Sequence, residues 1–149
     1  ACYGRGGPAT VTDVQVVLGR LLPTTMPRVF GPGGDAPVDV AAARAALGAL
    51  AASASGELAP PGSGTDAVER FAAGFLDVAV ASMAAAIRHV AIAQGLDPSR
   101  FTRFAFGGAA GQHACRVAEA SGIGRVLVHP LASVLSAWGI GVADWVETR

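Results

Sequence analysis

The residues best suited to chemistry lie in a glycine-rich stretch, residues 106–115, which reads Phe-Gly-Gly-Ala-Ala-Gly-Gln-His-Ala-Cys. Glycines lack a Cβ, so the backbone of such a turn can approach a ligand closely. A helix that begins directly after the turn presents unpaired N–H groups and the positive end of its dipole. The stretch therefore suits a nucleotide phosphate, or the sugar and base of a nucleotide. A turn that serves only tight packing of a strand against a helix is the alternative.

Two common nucleotide-binding motifs are absent from this stretch. A P-loop requires a Lys-Ser/Thr pair after its glycines, where this chain has Gln112-His113. A Rossmann fingerprint requires another glycine spacing and an acidic residue at the end of the next strand, where this chain reads Val128-His129-Pro130. The glycine stretch thus belongs to neither class.

Single polar residues have competing interpretations. His113, in the first turn of the helix, could contact a ligand, or it could bond locally to backbone, as histidines there more often do. Asp13 could cap a helix or face a substrate or metal, and we retain Asp13 and His113 as candidate catalytic residues. On a helix, residues 113 and 115 point about 200° apart. We therefore predict no metal site built from Cys2, His113, Cys115 and His129.

Two arginines could meet anions. Arg5 lies in a glycine-rich loop and could bind a phosphate or carboxylate, although a solvated loop arginine is the commoner outcome. Arg88, on a long helix, could pair with a nucleotide or cover apolar surface with its stem.

Alternating elements in the last third of the chain position the glycine turn. Residues 101–106 predict a strand, 110–121 a helix that ends at Gly122, 125–128 a second strand, and 133–145 a helix capped by Ser133. This order predicts an α/β fold with parallel strands and packed helices.

The first two thirds are loop-rich and then helical. We expect one fragment, 1–149, that comprises a loop-rich entry (1–38), a helical part (39–100) and a β-α-β-α unit (101–149). Thr12 is predicted to cap a short helix, and Val29-Phe30 to form an apolar plug in the loop that follows. Asp39 is predicted to cap a second helix, which ends at Gly56 before a linker at 56–64.

An alanine-rich helix at about 66–94 is predicted to be the longest element. Asp66 and Glu69 form its capping-box pattern, and Gly95 ends it. Its predicted apolar face consists of Val68, Phe71, Phe75, Met83, Ile87 and Val90.

Composition excludes several classes of function. Hydrophobic residues make up 52% of the chain, charged residues 15%, and the net charge is zero, which argues against nucleic-acid or anionic-membrane binding. So apolar a chain predicts surface that is buried against something else. Asp77 interrupts the most apolar stretch, which favours a buried helix over a membrane span. We expect two reduced thiols, a cytoplasmic location, and a piece of a longer polypeptide, since the chain opens inside a glycine loop.

Residues 106–115 resemble the Phe-Gly-Gly-Ala-Gly-Gly-Gln-His-Ala-Cys motif of the hydantoinase A/oxoprolinase family, with Ala110 in place of a glycine. Other stretches resemble the same family in the same order along nearly the whole chain. They are residues 1–8, 11–21, 30–33, 83–88, 95–98 and 135–139.

The resemblance implies a partial ribonuclease-H-like lobe of the actin-like ATPases, in which two lobes clasp ATP. It implies that Gly107, Gly108, Ala109, Gly111 and Gln112 bind the adenosine side of ATP, with Mg²⁺ as a second cofactor. It also implies that the phosphate-binding hairpins of the family lie upstream of residue 1.

The implied reaction opens the lactam of 5-oxo-L-proline to L-glutamate with hydrolysis of ATP, and the glutamine of the motif favours this oxoprolinase branch. A hydantoinase or a ketone carboxylase is the alternative within the family, and a non-catalytic assembly module the alternative outside it. The implied partners are a small-molecule substrate (5-oxoproline or a hydantoin) and the remaining lobes or a hydantoinase B-like subunit. We also expect a homo-oligomer.

Overall fold

The computed structural model of the chain describes residues 1–54 and 65–144, and only the backbone of Thr65 and Asp66. Contacts divide the chain into two units, residues 1–79 and 80–149. Three predictions lie outside the described residues or side chains: the helix end at Gly56, the linker at 56–64 and the Asp66 cap.

In the first unit, α1 spans Val11–Val17 and its N-cap is Thr10. The predicted cap at Thr12 is therefore wrong by two residues. Asp13, three residues after Thr10, accepts hydrogen bonds at Oδ2 from the backbone N and the Oγ1 of Thr10, at 2.7 and 2.9 Å. This reciprocal capping geometry sets the start of the helix.

Helix α2 spans Val40–Ser53 and packs against α1. The Asp39 carboxylate accepts a 2.8 Å hydrogen bond from the backbone N of Ala42, which confirms the predicted cap. Ala43 and Leu47 are fully buried, whereas Leu50 is 40% exposed. In the preceding loop Val29 is exposed, so the predicted plug is wrong for Val29, while Phe30 stacks on Tyr3 with ring centroids 4.8 Å apart.

Helix α3, Thr65–Ala93, confirms the predicted long helix. Its predicted apolar face is right in part, because four of the six residues are half-buried: Val68, Phe71, Met83 and Ile87. Its buried residues follow a four-residue spacing: Ala72, Leu76, Val80 and Ala84. Bulky Phe75 and Val90 are exposed instead. The prediction is therefore wrong for Phe75 and Val90, and it missed the buried Leu76 and Val80.

The Glu69 carboxylate of α3 pairs with the Arg44 guanidinium of α2 at 2.8 Å.

Helix α3 is also more exposed to solvent than predicted. By length and composition alone, α3 could cross a membrane, although buried helices of soluble proteins meet the same two criteria. Only 17% of its most apolar segment is buried within the described structure. Within this chain the prediction of a buried helix is therefore wrong.

In the second unit, β1 (Thr102–Ala105), α4 (Ala110–Ala120), β2 (Arg125–Val128) and α5 (Leu135–Val142) follow in order. The two strands pair in parallel and α4 packs on both, which confirms the α/β prediction with parallel strands. Ala105 pairs with Val128, so both strands end at the same edge. Ser133 lies inside a 3-10 turn before α5, so its predicted cap is wrong.

The second unit exposes many large apolar side chains, although parallel sheets are usually covered on both faces. They include Phe104, Phe106, Leu127, Val128, Trp138 and Ile140. This agrees with a chain whose apolar surface needs further covering.

Candidate functional site

The glycine turn joins the end of β1 to the start of α4. Gly107 adopts a φ of +90°, a backbone conformation that is strained for residues with a Cβ. Its N–H donates a 2.7 Å hydrogen bond to the carbonyl oxygen of Ala132. The turn after β1 is thereby held to the loop after β2, at the carboxyl edge of the sheet, where ligands of open α/β sheets bind.

The turn has open space beside its glycines. A Cβ built on Gly107, Gly108 or Gly111 would meet no heavy atom within 4 Å among the described residues. Backbone conformation requires glycine at Gly107, but neither conformation nor packing requires it at Gly108 or Gly111. This observation weighs against a turn shaped only for tight strand–helix packing, and it leaves room for a molecule outside this chain.

The start of α4 carries no side-chain cap. Ala109 is the N-cap residue and makes no capping hydrogen bond through its side chain. The first N–H groups of a helix have no acceptors within the helix. The backbone of Ala109 to Gly111 can thus donate to an anionic or polar ligand group lying in the turn.

The two polar residues after the turn differ in their surroundings. Gln112 is half-buried, whereas His113 is buried on the face of α4 that also buries Ala114, Val117 and Ala118. The structure therefore places His113 with the packing face of α4 and not with the open side of the turn.

A third polar residue at this edge is His129, which the sequence analysis considered only as a metal ligand. Its Nδ1 accepts a 3.0 Å hydrogen bond from the backbone N of Leu131. Its carbonyl oxygen accepts one from the backbone N of Ala132 at 2.9 Å. The signal available in the sequence was its position, directly after the second predicted strand.

The other catalytic candidate, Asp13, lies in the first unit and is fully buried. Besides Thr10, its carboxylate accepts from the backbone N of Cys2 at 2.6 Å and contacts the amino group of Ala1 at 3.1 Å. Burial by itself raises the pKa of Asp13, but the hydrogen bonds donated by Cys2 and Thr10 outweigh it and lower the pKa to about 2. These contacts are those of an ionised carboxylate that fastens the N-terminal segment to α1.

Cys2, beside Asp13, is buried, and Cys115 is exposed; both are free thiols. Burial, followed by the hydrogen bond to Asp13 and its negative charge, raises the pKa of the Cys2 thiol to about 11. Among the described residues, no group of three or more His, Cys, Asp or Glu side chains is arranged to hold a metal ion.

The two arginines contact backbone carbonyls. Arg5 Nε lies 3.4 Å from the carbonyl oxygen of Gly31. Arg88 donates from Nη1 to the carbonyl oxygen of Ala120, the last residue of α4. A cation at a helix C-terminus is favoured by the dipole, so Arg88 stabilises α4 from the end opposite the glycine turn.

A cavity of about 490 Å³ lies elsewhere in the second unit. Its lining is almost wholly apolar and includes Phe101 and Ile123, which precede β1 and β2. It therefore opens at the amino ends of the strands. We assign the candidate site to the glycine turn, because the turn has hydrogen-bond donors and open space. The cavity lining, by contrast, contains a single polar residue, Gln94.

Comparison with known proteins decides the family. The hydantoinase/oxoprolinase family model matches residues 1–149, the full length of the chain. The chain belongs to the hydantoinase/oxoprolinase family. This confirms the resemblance on which the sequence analysis relied.

Relatives within the hydantoinase/oxoprolinase family differ in their substrates. The chain is 42% identical, over 97% of its length, to the 5-oxoprolinase PfmaA of Pestalotiopsis fici, and 36% identical, over 96%, to the caprolactamase subunit alpha of Pseudomonas jessenii. The nucleotide-free structure of an acetone carboxylase, from work on ATP-dependent acetone carboxylation, matches 97% of the chain with a TM-score of 0.73 and 26% identity.

The hydantoinase/oxoprolinase relatives are much longer than this chain. The chain spans 11% of the Pestalotiopsis protein, 19% of the Pseudomonas subunit and 19% of the acetone carboxylase chain.

Proposed function

We propose that this chain forms the nucleotide side of an ATP-dependent hydantoinase/oxoprolinase-family enzyme, and that the turn from Gly107 to Gly111 receives the nucleotide. The observation that carries the proposal is the open space beside Gly108 and Gly111, at an uncapped helix start and at the carboxyl edge of a parallel sheet. Likeness to an acetone carboxylase from work on ATP-dependent carboxylation supports ATP as the nucleotide. In this proposal the second unit is part of an actin-like ATPase lobe.

The proposed reaction is the opening of the 5-oxo-L-proline lactam to L-glutamate, coupled to hydrolysis of ATP. The relative at 42% identity is a 5-oxoprolinase, and its name supports this substrate. An amide is poorly reactive toward water, and phosphorylation of its carbonyl oxygen would create a better electrophile. Mg²⁺ would neutralise the phosphate oxygens during that transfer. A ketone carboxylase, supported by the likeness to acetone carboxylase, is the alternative.

The residues of this chain would bind and orient the nucleotide. Backbone donors at Ala109, Ala110 and Gly111 would contact it at the start of α4, and Gln112 would lie beside them. The rest of the site would come from other parts of the longer protein or from a separate subunit. The name caprolactamase subunit alpha implies a partner subunit in that relative. Cytoplasmic location and homo-oligomerisation remain parts of the proposal.

The glycine turn is tested by adding side chains to it in the full-length protein. Gly108→Val should weaken binding of a non-hydrolysable ATP analogue about tenfold or more, a loss of roughly 1.4 kcal/mol, because its side chain would occupy the nucleotide's space. The chain itself should tolerate the valine, since nothing described lies within 4 Å of the new Cβ.

Gly124→Val is the matched control. Gly124 also has open space and no positive φ, but it precedes β2, at the amino end of the sheet. Calorimetric titration should give the control and the wild-type protein the same dissociation constant. Equal affinity of Gly108→Val and Gly124→Val would refute the nucleotide assignment.

A further inference from the structure

We propose that the apolar cavity at the amino ends of the strands is a docking groove, and that a helix from outside residues 1–149 of the full-length protein occupies it. Phe101 and Ile123, which precede β1 and β2, place this groove at the end of the sheet opposite the glycine turn. The inference goes beyond the proposed function, because it concerns another surface and needs no nucleotide.

One wall of the groove is a strip along the last turns of α3. Ala86, Val90 and Gln94 follow one another at four-residue spacing, so they lie on one face of the helix over about 12 Å. Ala91 belongs to the same wall. Because alanine side chains are short, a second helix can approach the backbone of α3 closely along this strip.

The chain leaves the groove open to solvent. Leu96 and Phe101, which follow α3, contribute to the rest of the lining. Val90 is 56% exposed, Leu96 42% and Phe101 46%, although all three side chains are large and apolar. A groove of about 490 Å³ with such a lining is typical of a surface that another protein segment covers.

The lining favours a helix over a small molecule or an extended segment. A small-molecule pocket has several polar groups that orient its ligand, whereas this lining has the amide of Gln94 alone. An extended segment would bring backbone N–H and C=O groups into an apolar groove without partners, which is costly. A helix satisfies those groups internally and can present only apolar side chains to the groove.

A charged rim borders the groove on one side. A second cavity, of about 400 Å³, shares Leu96 and Phe101 with the groove and adds Asp97 and Arg100 to its lining. The Asp97 carboxylate accepts a 3.0 Å hydrogen bond from the backbone N of Ser99. An apolar centre beside a charged, solvated rim is the usual arrangement of an interface between protein surfaces.

The longer protein has enough chain to supply this helix. The relatives with which residues 1–149 align are several times longer than this chain. Most of such a protein therefore lies outside the residues that form the groove. We commit to a helix of the same polypeptide, whose apolar residues recur every three to four positions and pack against α3.

Thiol labelling of the full-length protein tests whether the groove is covered. Val90→Cys places a thiol in the groove wall, and Ala85→Cys is the matched control, because Ala85 is exposed on the same helix but does not line the groove. Each labelling rate is compared with that of the same variant unfolded in urea, and peptide mass spectrometry locates the label. We expect protection of Val90→Cys to exceed that of Ala85→Cys by about tenfold or more. Equal protection would overturn the inference.

Photo-cross-linking identifies the occupant. The photoreactive residue p-benzoylphenylalanine is placed at position 94 of the full-length protein, where it replaces Gln94 at the end of the strip. We expect a cross-link to a segment outside residues 1–149 of the same polypeptide, with the apolar spacing of a helix. A mixture of isotopically heavy and light protein separates this result from a second copy. A cross-link between two copies, a cross-link within residues 1–149, or no cross-link to protein would overturn the inference.

Discussion

Asp13 is the most strongly perturbed carboxylate among the described residues. It is fully buried, yet hydrogen bonds from Cys2 and Thr10 hold its pKa at about 2, below the ordinary value of 3.8. A buried charge is tolerated when its lone pairs are satisfied by donors of this kind. The contacts of Asp13 are therefore those of a helix-capping residue, the first of the two roles that the sequence allowed.

Asp13→Asn should destabilise the chain by roughly 2–3 kcal/mol at pH 7, because an amide cannot accept all the hydrogen bonds that the carboxylate accepts. The wild-type advantage should depend on pH. A depressed pKa contributes stability above the unfolded value, near 4, and that contribution, about 2 kcal/mol, is lost as the pH falls toward 2.

Urea denaturation between pH 7 and pH 2 measures both effects. The exposed Asp35 supplies the control, because Asp35→Asn should change the unfolding free energy by less than about 0.5 kcal/mol. A stability gap between wild type and Asp13→Asn that stays constant down to pH 2 would contradict the charged capping role.

At the scale of elements, α4 is the helix that orients the glycine turn, and both of its ends are fixed. Gly107 connects the turn to Ala132, and Arg88 binds the carbonyl oxygen at the far end. Beyond that end, Gly122 has a φ of +75°, and Ile123 N donates to Ala118 O at 2.8 Å. This left-handed residue ends α4 and directs the chain into β2.

Gly122→Ala should therefore lower the unfolding free energy by about 1 kcal/mol, through the left-handed backbone alone. No described atom lies within 4 Å of the added Cβ, so a steric clash does not contribute. Gly124→Ala, two residues on, adds the same methyl group without a positive φ and should be close to neutral. Chemical denaturation of the two variants checks the difference, and equal stability would show that the helix end tolerates a Cβ.

At the scale of the whole molecule, the chain is a small part of its relatives' length and exposes apolar side chains on both α3 and α5. Ile92 is 70% exposed and Ile140 79%. Apolar patches of this kind mark surfaces that other parts of a protein cover. We therefore expect other parts of the longer protein to cover these apolar side chains.

We expect the 149-residue chain alone to show no ATP-dependent opening of 5-oxoproline, because the proposed fold clasps ATP between two lobes. The full-length protein should release ADP with 5-oxoproline, and not with acetone plus bicarbonate or with N-methylhydantoin. A coupled ADP assay with the three substrates measures this. Turnover by the isolated chain would contradict the two-lobe site, and ADP release only with acetone would favour the carboxylase alternative.

The strands and α4 could be predicted from the sequence, because turn glycines act locally to end each element, and the strand–helix–strand order then favours parallel pairing. Gly95 and Gly122 have positive φ at the predicted helix ends, and Asp39 caps α2. The motif at residues 106–115, together with the ordered matches along the rest of the chain, also sufficed for the family, since a match of residue types needs no coordinates.

Three features became visible only in the folded chain: which bulky residues of α3 are exposed, the surroundings of Asp13 and His113, and the bond between the two loops at the end of the sheet. Each depends on contacts between residues far apart in the sequence, such as Cys2 with Asp13 or Gly107 with Ala132. Periodicity and propensity carry no information about such contacts. For the same reason the space beside Gly108, on which the nucleotide proposal rests, became visible only once the chain was folded.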